Sequence, residues 1–217
     1  MPAIPLVALT TTTSMTATML TTMVVPAIMT TTTLPSLLQD GIRYGTIFAD
    51  PPWPERGGGK IKRGADRHYP LMKIADIIAM APAVRQLAKP SSHLYLWCTN
   101  NHLPHALDVM KAWGFRYVTM ITWQKDGNPG TGQYYQGLTE HVLFGVRGKH
   151  KGYRKLRNGK KAMGRTGFLE PRPGRHSQKP DLPYEWARKV SYGPYLEVFA
   201  IGQRPGWTVG GNQIWEE

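Results

Sequence analysis

Two kinds of hydrophobic pattern alternate along the chain from residue 44 to residue 201. Short continuous apolar runs at 44–49, 93–98, 115–123, 141–146 and 195–201 predict buried strands. Between them, apolar positions recur at helical spacing over roughly 73–88, 101–113 and 183–192. Ile74, Ile77, Ile78 and Met80 define the buried stripe of the first helix, and Pro82 breaks or restarts it. Gly114 closes the second. Strand and helix take turns, so the predicted class is α/β.

The strand at 44–49 ends in an unusual way. Asp50 is followed by Pro51, Pro52, Trp53 and Pro54. Proline has no N–H for a ladder and restricts the residue before it, so the chain must leave the sheet at once. Asp50 and Trp53 are thereby held on a stiff hook at the carboxyl end of a strand, where open α/β sheets bind ligands. A carboxylate and a backbone carbonyl can accept the two hydrogens of an exocyclic amino group. Trp53 can stack on the attached base. The plainer alternative is a proline-rich turn, with Asp50 as a turn residue and Trp53 in the core.

Charge sharpens the picture. The 217 residues carry a net charge of +13, which fits a polyanionic partner. Twelve Lys or Arg residues between 147 and 179 face a single acid, Glu170. That one-sided run, with Arg154 and Lys155 near its centre, predicts a phosphate-contacting loop, although a solvated loop has the same composition. Lys60, Lys62 and Arg63 follow a glycine triplet just after the hook. They lack the spacing of a phosphate-binding loop and read as a mobile basic loop beside the site or as a solvated linker. Residues 1–39 contain no charged side chain and alternate Thr runs with Met, Ala and Val. They read as a low-complexity, disordered tail, leaving 40–217 as the domain. No apolar stretch is long enough to span a membrane, and no signal-peptide or presequence pattern is present, so the expected compartment is the cytoplasm. The single cysteine, Cys98, reads as a small buried hydrophobe. No metal site is expected, because His102 and His105 stand too isolated to form a ligand set.

Four motifs in order resemble one family. They are Asp50-Pro51-Pro52-Trp53, then Glu140 with Gly145-Val146-Arg147-Gly148, then His176-Ser177-Gln178-Lys179-Pro180. Last comes Glu197-Val198-Phe199-Ala200 followed by Gly206-Trp207 and Gly211-Asn212-Gln213. Together they are similar to the MTA-type N6-adenine methyltransferases. That family includes the catalytic subunit of messenger-RNA N6-adenosine methyltransferase and compact bacterial and phage DNA enzymes. The resemblance covers roughly residues 42–215 and places the catalytic motif before the cofactor motif. It therefore implies a circularly permuted, Rossmann-like fold that uses S-adenosylmethionine (SAM).

Carried over residue by residue, the resemblance assigns Asp50, Pro51, Pro52 and Trp53 to the target amine. It assigns Asp50, Lys179, Glu197, Phe199, Asn212 and Gln213 to the cofactor. Tyr69 and Glu140 match positions that face the target base. Two departures stand out. Ile201 occupies the place of an Arg in the messenger-RNA enzyme, so a cofactor hydrogen bond is missing or Arg204 supplies it from another loop position. The upstream acid of longer relatives is also absent, since only Asp40 precedes Asp50. The implied reaction is methyl transfer to the N6 amine of adenine, with DNA preferred and RNA open. Cytosine N4 would present the same amine geometry. A non-catalytic nucleic-acid-binding subunit is the alternative from another class. A homodimer or a partner subunit is compatible with either.

Overall fold

The protein is described by a computed structural model covering residues 34–55, 70–130, 134–149, 154–174 and 178–210. Its strands are β1 (Tyr44–Ala49), β2 (Ala88–Thr99), β3 (Arg116–Asp126), β4 (Thr139–Arg147), β5 (Gly167–Pro171), β6 (Tyr195–Val198) and β7 (Thr208–Gly210). Its helices are α1 (Leu34–Gln39), α2 (Ile74–Ala79), α3 (Ala81–Leu87), α4 (Leu103–Ala112) and α5 (Leu182–Val190). The strands form one mixed sheet in the order β5-β3-β4-β2-β1-β6-β7. β1 pairs in parallel with β2 and β6, β6 with β7, and β3 with β5. Only β4 runs the other way, antiparallel to β2 and β3. Six strands thus deliver their carboxyl ends to one edge, and β4 begins at that same edge.

Alternation along each strand builds two apolar layers. Ile47, Ala49, Leu94, Leu96, Cys98 and Leu143 pack with α1 to α4 on one face. Phe48, Tyr95, Trp97, Ile121, Trp123 and Val142 pack with Tyr184 and Ala187 of α5 on the other. The result is a three-layer arrangement of the α/β class that the sequence pattern predicts, Rossmann-like as the family resemblance implies. Helix α4 ends where Gly114 predicts. Gly114 takes φ +86°, its N–H donates to Lys111 O at 3.0 Å, and Phe115 N–H donates to Met110 O at 3.0 Å. That pair of bonds is a Schellman motif, which needs a left-handed residue at this position.

Four differences from the sequence reading have physical causes. The helix expected over 73–88 is two helices, α2 and α3, because Pro82 sits in the first turn of the second. Residues 34–39, assigned to the tail, form α1 and bury Leu34 and Leu37. Leu37 packs on β7 so closely that a Cβ on Gly210 would lie 2.5 Å from its Cδ1. β5 lies inside the run read as a basic loop, because its five residues are diluted among charges and it is a half-exposed edge strand. β6 stops at Val198 rather than 201, because Phe199 turns to φ 65°. A left-handed conformation costs a non-glycine residue on the order of 1–3 kcal/mol and collects at functional sites.

Candidate active site

The site grows from the carboxyl end of β1. Asp50 N–H still donates to Val198 O of β6 at 3.3 Å, and then the prolines end the strand. Pro51 O accepts Trp53 N–H at 2.8 Å, and Trp53 O accepts Glu55 N–H at 2.6 Å. These are two successive three-residue turns. Pro52 O accepts Met72 N–H at 2.9 Å, which ties the hook to the segment before α2. Trp53 is an internal strut rather than an open plate. It is 5% exposed, its Nε1–H donates to Trp97 O at 3.0 Å, and its ring stacks on His102 at 5.6 Å. Burial holds the His102 imidazole below its ordinary pKa. The Trp53 indole is packed inside the fold and not open at the edge.

A row of alternating charges crosses the edge from Asp50. Lys179 Nζ lies 2.7 Å from Asp50 Oδ2 and 3.6 Å from Glu140 Oε2. Lys125 Nζ lies 2.5 Å from Glu140 Oε1. Each ammonium also sits over an indole, Lys179 at 5.5 Å from Trp97 and Lys125 at 5.2 Å from Trp123. Burial raises the Asp50 carboxyl above the ordinary range, even though Lys179 pulls the other way. Burial also opposes the charge on Glu140, but Lys179 and Lys125 together outweigh it and its pKa is lowered. Cys98, beneath this row, is pushed up to about 12 by burial and by the Glu140 and Asp50 charges. It is a protonated thiol, not a nucleophile.

A second buried group lies at the end of β6. Tyr184 OH donates to Glu197 Oε1 at 2.7 Å. Arg204 covers the Tyr184 ring at 3.7 Å, pairs with Asp181, and brings its Nε to 3.5 Å from Glu197 Oε2. Glu197 Oε2 and Arg204 Nε are both buried and neither makes a hydrogen bond. Burial raises the Glu197 carboxyl, while Tyr184 and Arg204 act to lower it. Phe199, 5% exposed, follows with its left-handed backbone and donates its N–H to Gly210 O at 2.9 Å. A cleft of about 500 Å³ opens beside Lys179, lined among others by Glu170, Arg172, Gln178, Asp181 and Glu185.

The profile of one family, described as MT-A70, matches residues 44–213. The chain belongs to the MT-A70 family. Among the relatives it resembles is the type II methyltransferase M.MunI of a Mycoplasma species, 27% identical over 194 residues. That match covers 79% of this chain and 78% of M.MunI. It is 26% identical over 182 residues to the N6-methyladenosine RNA methyltransferase MTA1 of Cryphonectria parasitica, covering 79% of this chain and 52% of that one. It is 25% identical over 185 residues to the human N(6)-adenosine-methyltransferase catalytic subunit METTL3, covering 79% of this chain and 28% of that one. The chain thus spans most of M.MunI but about a quarter to a half of these two larger relatives.

Within this MT-A70 chain, Asp50, Lys179 and Glu140 meet in one cluster although they lie far apart in sequence. Glu197 and Phe199 sit one strand away, at the same edge. Arg154 and Lys155 do not join them. Arg154 N–H donates to Val190 O at 2.8 Å and its Nη1 to Arg188 O at 2.7 Å, so Arg154 caps the C-terminus of α5. That helix end leads into the amino end of β6, the edge opposite Asp50. The main chain of Lys155 pairs with that of Lys161 in a small bridge beside the same helix end. Tyr69, Lys60, Lys62, Arg63, Asn212 and Gln213 lie outside the described residues. The sequence reading missed Lys125, which follows the buried Trp123 two positions on near the end of β3. It also missed Tyr184 as the partner of Glu197. No helix among the described residues is long and apolar enough to cross a membrane.

Proposed function

We propose that the protein transfers a methyl group from SAM to the N6 amine of adenine in nucleic acid, with DNA as the preferred polymer. The observation that carries this is the Asp50 carboxylate, backed by Lys179 at 2.7 Å, on a proline-rigid hook at the carboxyl edge. Lys179 occupies Oδ2, which leaves Oδ1 to accept one amine hydrogen. Pro51 O already accepts Trp53 N–H and keeps one lone pair for the other. Two acceptors pull the nitrogen toward tetrahedral geometry and fix the direction of its lone pair, so positioning supplies much of the acceleration. The carboxylate also stabilises the positive charge that grows on nitrogen. The raised proton affinity of Asp50 suits Oδ1 to take up the proton that the amine then sheds.

The residues present fit SAM. Glu197 Oε2 and Arg204 Nε face each other across 3.5 Å beside the Phe199 turn, and this carboxylate and guanidinium would bind ribose hydroxyls. Arg204 would thereby serve in place of the Arg absent at Ile201. The turned backbone at Phe199 and the ammonium of Lys179 border the same edge, and Asn212 and Gln213 would add amide contacts. When bound, SAM supplies a methyl already activated on a sulfonium.

DNA is preferred because the chain matches M.MunI over most of both lengths. RNA is the second reading, favoured by the names of MTA1 and METTL3. The test is methyl transfer to duplex DNA, single-stranded DNA and RNA, with product nucleosides identified by mass spectrometry. N6-methyladenine in DNA is expected. N4-methylcytosine alone, or no product in any pool, would overturn the reading.

A further inference from the structure

Tyr134 and Tyr135 are adjacent and are 91% and 92% exposed. Single exposed apolar residues are ordinary, but two neighbouring aromatic rings left almost wholly in water at one loop tip need a reason. Their place supplies one. The loop leaves the carboxyl edge from β3 and returns into β4. Its base is closed by Lys125 N–H to Leu138 O at 2.8 Å and by Gly130 N–H to Gly137 O at 2.9 Å. Its two stems carry Lys125 and Glu140, which pair with each other and reach Asp50 through Lys179. Tyr134 is six residues from Glu140, so their Cα atoms stand within about 22 Å of each other. Nucleotides along one strand of a duplex are about 3.4 Å apart, so this span reaches the neighbours of a target base.

We infer that Tyr134 and Tyr135 form a stacking platform for unpaired bases flanking the target adenine. The inference rests on the reading of the chain as a nucleic-acid methyltransferase. A tyrosine ring offers a large flat face to any base, and such stacking is tolerant of sequence. The net charge of +13 attracts the polyanion, and the rings then hold its bases. With the Trp53 indole packed inside, these two rings are the accessible aromatic surface that the described residues present on the loop joining Lys125 to Glu140.

The test compares wild type with Tyr134→Leu/Tyr135→Leu and Tyr134→Phe/Tyr135→Phe. Both pairs are exposed, so folding should survive. The substrate is a single-stranded oligonucleotide with 2-aminopurine beside the target adenine. Base–aromatic stacking predicts a rise in KM of roughly 5- to 150-fold per lost stack for the Leu pair. Its kcat stays within about twofold and the 2-aminopurine quenching on binding is lost. The Phe pair keeps KM and quenching near wild type. Unchanged KM and quenching in the Leu pair would overturn the platform. Equal loss in the Phe pair would overturn it too, as would a change of oligomeric state on light scattering that accounts for the loss, since the rings would then serve a protein interface. A wild type that methylates no nucleic acid would instead overturn the functional reading itself, and the platform with it.

Discussion

Replacing Lys179 by Gln should uncouple the charge row at its centre. At 2.7 Å the attraction to Asp50 is on the order of 6 kcal/mol at an effective dielectric of 20. Desolvation of the ammonium offsets part of that, and breaking a buried pair by removing one partner costs about 3–5 kcal/mol. The loss falls on the ionised form of Asp50, which burial already disfavours and which the charge of Glu140 also opposes. An acid is ionised above its pKa, and the proposed chemistry needs the carboxylate. The acid limb of the pH–rate profile should therefore move to higher pH by at least about one unit, since each unit corresponds to 1.36 kcal/mol. On that limb, at pH values below both apparent pKa values, activity should fall at least about tenfold, and the loss should shrink as pH rises. The assay is single-turnover methyl transfer across pH 6 to 9.5, with thermal melts confirming a folded protein. A uniform loss at every pH, with the limb unmoved, would refute the argument that Lys179 acts by holding Asp50 ionised.

Three further outcomes follow from the packing and the charges. Leu37→Ala should destabilise the protein by about 2–5 kcal/mol, because Leu37 is 1% exposed against β7; a chemical melt unchanged from wild type would return residues 34–39 to the tail. Gly114→Ala should cost about 1–2 kcal/mol, since φ +86° is strained for any residue with a Cβ, again read by denaturant melts. Glu140 has a lowered carboxyl pKa, so its contribution to stability is present above the ordinary carboxylate range and is lost as pH falls through the lowered value. The Tm gap between wild type and Glu140→Gln should narrow on acidification; a gap that widens would contradict the sign.

The legible parts of this protein were those written locally. Three prolines after an apolar run announce a strand that must stop, and Asp50 stands at that stop. Lys179 and Glu140 carried a family resemblance, but nothing in their spacing shows that they meet, since 38 residues, the whole of β5 among them, lie between the two. Composition misled at both ends of the domain. A six-residue helix with two buried leucines was hidden in an uncharged Thr-rich run. In the basic region, charge density concealed a strand and a capping role. Arg154 neutralises the carbonyl end of α5, a task with the same composition as phosphate binding. Arg204 was legible only as a possibility, because its approach to Glu197 depends on how the chain turns at Phe199.

The most direct test of the central claim is single-turnover methyl transfer to adenine-containing DNA by wild type and Asp50→Ala, at saturating SAM. The account predicts N6-methyladenine from wild type and a rate at least about 100-fold lower in the variant, with SAM affinity, measured by calorimetry, changed much less. A variant that keeps the wild-type rate would contradict the assignment of the amine to Asp50.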